Sequence, residues 1–139
     1  MARKNEKFKT ASLTFAQQIG RMSRFYRTFR ATIRRNVVSW VGELQPSAMA
    51  DTYTVKIEYA LRKRPKVWVL QPRLYPQIPG EKIKHTFSDG SVCLHLPGEW
   101  TPTMYVADLI VPWLALWLFH YEAWRATGKW HGGGHEPNE

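Results

Sequence analysis

The spacing of apolar residues changes along the chain, from steps of three and four near the start to alternation further on. Over residues 12–35, the steps of three and four predict a basic amphipathic helix with one apolar stripe. This stripe consists of Phe15, Ile19, Met22, Tyr26, Phe29 and Ile33. Arginines on the opposite side form a candidate partner-binding face, namely Arg21, Arg24, Arg27 and Arg34. We expect this face to be either solvated or a docking surface for a protein or a nucleic acid.

Alternating apolar and polar residues then predict a meander of three antiparallel strands. The strands cover residues 37–44, 53–59 and 67–70, and the links between them are short enough for antiparallel pairing. Residues 71–80 contain three prolines and should leave the sheet as an ordered extended loop. A short edge strand at residues 82–84 would bring the number of strands to four.

A second helical region is predicted in the last third of the chain. Thr101 suits the N-cap position and Pro102 the first helical position. Residues 104–121 are almost apolar enough for a membrane span, but Asp108 and Pro112 lie inside the segment, and the sheet needs a second covering helix. Pro112 should kink this region or divide it into two helices, and Gly128 should end it. The pattern predicts one α+β domain over residues 1–139, with residues 1–10 and 131–139 as flexible tails.

Composition and charge narrow the picture only slightly. The chain has 139 residues, one cysteine and a net charge of +9. A single cysteine cannot form an internal disulfide, which fits a reducing cytoplasm, and the charged N-terminus shows no apolar signal core. The basic charge suits an acidic protein as well as a nucleic acid, but no nucleic-acid-binding motif accompanies it.

Candidate chemistry is concentrated around the single cysteine, Cys93. Asp89 and Gly90 predict a tight turn before it. The apolar neighbours Val92 and Leu94 should anchor the segment, so that the thiol points away from the core. His85 lies eight residues before the cysteine and His95 two residues after it. Both histidines are therefore candidate partners of the thiol.

The order of these parts resembles the ubiquitin-conjugating (UBC) fold, with a helix, a meander, a proline-rich crossing, a cysteine loop and C-terminal helices. Gly90, Val92 and Leu94 match the G-x-I-C-L pattern of that family, and the segment from Trp100 to Pro102 resembles its W-S-P. The sequence departs from the family at His85, which occupies the place of the asparagine in the His-Pro-Asn motif. The run DGSVCLHLPGEW, followed by GKWHGGG, is similar to the stand-alone conjugating-enzyme-like proteins of cyclic-oligonucleotide-based anti-phage signalling (CBASS) operons.

The resemblance implies a cysteine-dependent acyl-transfer activity without a cofactor. Cys93 would form a covalent adduct, as a thioester or a disulfide, with the C-terminus of a cGAS-like nucleotidyltransferase. A separate activating enzyme would have to supply an acyl group. His85 and His95 could each assist by raising the thiolate fraction, and His85 could instead stabilise an oxyanion or act as a base. Asp89, Gly90, Leu94 and Trp100 would support the loop.

Two other functions are compatible with the same residues. The missing His-Pro-Asn motif favours a catalytically silent interaction module that binds the nucleotidyltransferase without transfer chemistry. A zinc site could combine Cys93 with histidines, namely His85, His95, His131 and His135. The zinc site is disfavoured because no C-x-x-C pair is present to nucleate it.

Overall fold

The computed structural model describes residues 11–132 and 136–137 and has an α+β architecture. Within these residues, two helices accompany one four-stranded antiparallel sheet in the order β1-β2-β3-β4. The elements are α1 (Phe15–Phe25), β1 (Arg30–Arg34), β2 (Val37–Leu44), β3 (Tyr53–Ala60), β4 (Lys66–Gln71) and α2 (Val106–Thr127). This arrangement is compatible with the conjugating-enzyme-like fold expected from the sequence. The tail residues 1–10, 133–135 and 138–139 lie outside the described residues.

The helix predicted over residues 12–35 is only half correct. Helix α1 begins with a capping box between Thr14 and Gln17 and ends at Phe25. The chain then enters strand β1, because Arg35 and Asn36 both have positive φ and form the tight turn of a hairpin with β2. Ile33 is 54% exposed on that strand instead of packing in an apolar helix stripe.

The three strands of the predicted meander are confirmed as β2, β3 and β4. Strand β3 alternates buried and half-buried positions along its whole length, as its sequence pattern indicates. The fourth strand of the sheet is β1, so the prediction of an edge strand at residues 82–84 is wrong. Inward-facing residues of β2, β3 and β4 form the core with α2, and the fully buried ones include Trp40, Ile57, Tyr59, Ile110 and Leu114.

Helix α2 is continuous through Pro112, so of the two alternatives predicted there, a kink or a division into two helices, the division is wrong. It begins at Val106 and not at Pro102, because its capping group comes from α1 and not from Thr101. The buried Gln18 side chain donates to the Met104 carbonyl at 2.8 Å and accepts from the Val106 amide at 2.9 Å. The helix ends at Gly128, as predicted, in a left-handed conformation.

Within residues 11–132 and 136–137, no helix has both the length and the apolar character needed to cross a membrane.

Candidate active site

The segment that leads to Cys93 forms a narrow hairpin. The Phe87 amide donates to the Ser91 carbonyl at 2.8 Å, and the Gly90 amide donates to the Phe87 carbonyl at 3.0 Å. Gly90 has a φ of 87°, a conformation that favours glycine, and the Asp89 carboxylate accepts from the Ser91 amide at 2.9 Å and from its hydroxyl at 2.6 Å. Asp89 and Gly90 thus shape the turn in front of the cysteine.

Backbone hydrogen bonds attach this hairpin to the end of the sheet. Thr86 pairs with Val92 in an isolated antiparallel bridge, and the Cys93 amide donates to the His85 carbonyl at 2.8 Å. The Val92 amide donates at 2.8 Å to the carbonyl of Val67 on β4. Because β4 directly follows the turn after β3, these bonds place the cysteine beside that turn.

The thiol does not point into open solvent, so the expectation of an exposed cysteine is wrong. Cys93 is only 3% exposed. Its Sγ lies 3.7 Å from the His95 carbonyl. Cys93 is one of the residues that line a cavity of about 390 Å³, here called the thiol cavity. The flanking residues act as the predicted anchors, since Val92 is buried and Leu94 packs against the core. A ligand would therefore reach the sulfur through the thiol cavity.

The electrostatic environment keeps the resting thiol protonated. Burial raises the pKa of Cys93, because the buried surroundings disfavour a thiolate. The positive charge of Arg64 partly opposes this effect, whereas the negative charge of Glu136 adds to the increase in pKa. Forming a nucleophile here requires a proton acceptor or an added positive charge near the sulfur.

His95 is the candidate acceptor of that proton among the residues that line the cavity with Cys93. Its ring lies 5.4 Å from the Trp113 ring, between centroids. Nδ1 lies 2.8 Å from the Leu96 carbonyl oxygen, which can only accept, so Nδ1 carries a hydrogen. In a neutral ring, Nε2 therefore keeps a lone pair. His95 combines a fixed tautomer with access to the same cavity as the sulfur.

His85 reaches Cys93 through its backbone and not through its side chain. The imidazole packs edge-on against Trp130, with ring centroids 4.7 Å apart, and does not line the thiol cavity. Nδ1 lies 3.3 Å from a carboxylate oxygen of Glu136, which also accepts from the His85 amide at 2.8 Å. The two candidate histidines thus lie in separate environments.

Trp100 and the turn before it form another part of the cavity wall. Residues 96–99 make a turn in which Pro97 precedes Gly98, whose φ is 87°, and the Glu99 amide donates to the Leu96 carbonyl at 3.2 Å. Trp100 is buried, packs edge-on against Tyr59 with centroids 5.8 Å apart, and borders the cavity. It supports the site structurally and also contributes to its surface.

The arginines predicted to form one partner-binding face are divided by the fold. Arg21 makes two hydrogen bonds to the Asp108 carboxylate, at 2.9 and 3.0 Å, and so ties α1 to α2. Arg24 lies near the Phe25 ring on α1, Arg27 follows that helix, and Arg34 belongs to β1. Three of the four remain exposed, but they do not follow a single helix stripe.

The sequence reasoning missed three cations that also line the thiol cavity. Arg62, Lys63 and Arg64, here called the basic rim, form the turn between β3 and β4. The run R-K-R was visible in the sequence, but its position beside Cys93 depends on the hydrogen bond between the loop and β4. Pro137 from the C-terminal segment also borders the cavity.

No group of three metal-binding side chains gathers in the part of the chain that the structure describes. His85 and His95 face different surroundings, and His131 is exposed beyond the end of α2. His135, which completed the hypothetical zinc site, lies outside the described residues.

Comparison with known proteins gives one family match, and it covers nearly all of these elements. Residues 18–137 match the model of a family described as Type II CBASS E2 protein. The matched range begins within α1 and includes the sheet, the hairpin of Cys93, the basic rim and α2. No curated protein matches the chain.

Proposed function

The chain belongs to the Type II CBASS E2 family, whose context is anti-phage defence, and we propose that Cys93 forms a covalent adduct with the C-terminus of a partner protein. The proposed partner is a cGAS-like nucleotidyltransferase, and adduct formation would regulate its activity. The observation that carries the proposal is the position of the only thiol on the wall of a cavity that it shares with His95 and the basic rim. A buried structural cysteine would need no such access.

The simplest reaction is a transfer of an acyl group between two thiols. A separate activating protein presents the partner's C-terminal carbonyl as a thioester. His95 Nε2 accepts the Cys93 proton, the sulfur attacks the carbonyl carbon, and the donor thiol leaves with its electron pair and takes up the proton. Positively charged side chains beside the cavity support this step, because they stabilise a developing thiolate and an oxyanion.

A disulfide is the alternative form of the adduct. It would arise by exchange, in which the Cys93 thiolate attacks a disulfide of the partner and displaces one of its sulfurs as a thiolate. This route needs no activating protein but does need an oxidised partner. The raised pKa of Cys93 slows both routes at neutral pH, so both depend on a local proton acceptor.

Adducts captured from cells test the proposal. Wild-type protein and the Cys93→Ala variant are isolated under non-reducing conditions, and attached polypeptides are identified by mass spectrometry. We expect an adduct with the wild type that disappears in the variant. Mild hydroxylamine releases a thioester, whereas a reductant releases a disulfide. Identical adducts on both proteins would refute a role for the thiol.

The 3% exposure of Cys93 favours a second candidate, an interaction module without transfer chemistry. In that case the thiol of the folded protein would resist small alkylating reagents at neutral pH as strongly as an inert core cysteine. Binding of the nucleotidyltransferase would then be the same for wild type and Cys93→Ala. Rapid alkylation of the native thiol would argue against this candidate.

A further inference from the structure

The basic rim has a rigid geometry for an exposed turn. The Lys63 amide donates to the Ala60 carbonyl at 2.9 Å, and Arg62 has a φ of 67°, which is unusual for a residue with a side chain. The Arg64 guanidinium lies over the Phe87 ring, 4.0 Å from its centroid. Phe87 belongs to the hairpin that carries Cys93. The rim and the thiol are therefore held in a fixed relation by packing as well as by the backbone.

The charges of the basic rim are not neutralised within the part of the chain that the structure describes. No carboxylate of residues 11–132 or 136–137 lies within 4.0 Å of the charged nitrogens of Arg62, Lys63 or Arg64. Two neighbouring lysines behave differently, since Lys66 pairs with Asp89 and Lys82 pairs with Glu136, each at 3.5 Å. Within this part of the chain, three cations without a carboxylate partner therefore lie next to one another at the thiol cavity.

We infer that the basic rim is an anion-binding subsite that selects donor polypeptides with acidic side chains just before the residue transferred to Cys93. This inference rests on the proposed function. The terminal carboxyl of a donor loses its charge when it becomes a thioester carbonyl, so the anionic groups that the rim binds must be side chains. Trp100 and Pro97 offer an apolar surface to the backbone of the same segment. A carboxylate-bearing peptide fits this combination better than a nucleic acid, which would need a longer basic track.

A binding experiment that needs no chemistry tests the subsite first. The probe is a labelled peptide amide with two aspartates before its terminal glycine, and the reference peptide carries two asparagines instead. Both are titrated into the Cys93→Ala protein in low-salt buffer and followed by fluorescence anisotropy. We expect the aspartate peptide to bind about tenfold tighter, and this preference should shrink as salt screens the charges.

Matched pairs of arginine substitutions identify the groups responsible. Arg62→Gln combined with Arg64→Gln should reduce the preference to about twofold or less. Only Lys63 of the basic rim then remains to pair with the aspartates, and a single exposed ion pair contributes only a modest energy. Arg30→Gln combined with Arg35→Gln removes the same charge from the β1–β2 hairpin and should leave the preference intact. A preference that survives the first pair, or falls equally with both pairs, overturns the inference. Tighter binding of a short single-stranded DNA of equal charge also overturns it.

Acylation provides a second readout and separates this inference from the proposed function. Alkyl thioesters of the two peptides react with Cys93 of the otherwise unchanged protein, and the ratio of their rates is measured by mass spectrometry. The ratio is used because Arg64 also lowers the pKa of the thiol and so affects both rates. If neither thioester acylates Cys93, the acyl-transfer form of the proposed function fails, while the binding preference decides the inference. If both react equally and bind equally, only the inference fails.

Discussion

The surroundings of His95 and His85, on the two sides of the Cys93 hairpin, differ sharply, although the sequence makes both histidines candidate partners of the thiol. On one side, His95 lines the same cavity as Cys93, and its Nε2 is free to accept a proton when the ring is neutral. On the other side, His85 packs against Trp130 and approaches Glu136. Both rings are largely buried, so burial does not distinguish them. The difference lies in which surroundings each ring faces.

The backbone conformation of the hairpin, and in particular that of His85, explains this contrast. Residues two apart on an extended segment point to the same side, which brings His95 to the side of Cys93. His85 lies across from Cys93, and its carbonyl is used to bind the Cys93 amide. Residues directly opposite each other in an antiparallel pair face the same side, so register alone would bring His85 to the thiol as well. A positive φ of 55° turns the chain at His85, and its ring packs against Trp130 of the C-terminal segment. The local backbone conformation, and not the distance in sequence, therefore separates the two histidines.

Replacing the two histidines should show the largest effect. We expect His95→Ala to slow acylation of Cys93 by a peptide thioester about a hundredfold, the effect of losing a general base. His85→Ala should change the rate by no more than about threefold, because its ring does not line the cavity. Rates are measured by mass spectrometry at neutral pH.

Chemical rescue separates a proton acceptor from a packing residue. Added imidazole should restore part of the rate in His95→Ala and should have no effect in His85→Ala. If His85→Ala is the slower variant, or if imidazole rescues neither, the assignment of roles to the two sides is wrong.

Much of this arrangement could be predicted from local patterns, and the missing parts depended on distant contacts. The alternation in β3 and the turn at Gly90 are encoded by neighbouring residues. The apolar steps of three and four continue past the end of α1 because Phe29 is buried there too, and they do not reveal the turn at Arg35 and Asn36. The start of α2 depends on Gln18, which is far away in sequence.

The candidate site also has parts that local sequence patterns predict and parts that depend on distant contacts. Cys93, His95 and Trp100 could be found because they lie in one continuous stretch of sequence. The basic rim lies some thirty residues earlier, so no local pattern connects Arg64 with the thiol. The cavity itself forms only where the β3–β4 turn meets the hairpin, so the sequence around Cys93 does not indicate that the thiol is buried.

A smaller effect is expected from the negative charge on the His85 side. Burial raises the pKa of Cys93, so alkylation by iodoacetamide should follow a titration with a midpoint above that of a free cysteine. Glu136 adds to this increase, so Glu136→Gln should shift the midpoint to lower pH and speed the reaction below it. The pH dependence of the alkylation rate measures both midpoints. Glu81→Gln is the matched control, since Glu81 does not contribute to the pKa of Cys93. An unchanged midpoint in Glu136→Gln would show that the charge of Glu136 does not affect the pKa of Cys93.

The smallest effect concerns the turn that holds the two sides apart. Hydrogen bonds from the Ser91 hydroxyl and amide lower the pKa of Asp89, and Lys66 adds to this. Because the folded-state pKa lies below the unfolded one, the stability that these contacts contribute is present above the unfolded pKa and is lost as the pH falls through the folded value. Asp89→Asn should therefore reduce the free energy of unfolding by about 1 kcal/mol or less at pH 7, since the carboxylate is partly exposed.

The same substitution tests whether the turn controls chemistry on both sides. Urea unfolding of wild type and Asp89→Asn at pH 7 should differ, and the two curves should converge in acid as the Asp89 carboxylate of the wild type becomes protonated. Glu58→Gln serves as the reference, because it removes a carboxylate paired with Lys56 on the sheet, away from the hairpin. If Asp89→Asn keeps the wild-type acylation rate while losing stability, the turn only supports the fold. If it slows acylation while His95 remains in place, the turn also sets the position of the sulfur against its proton acceptor.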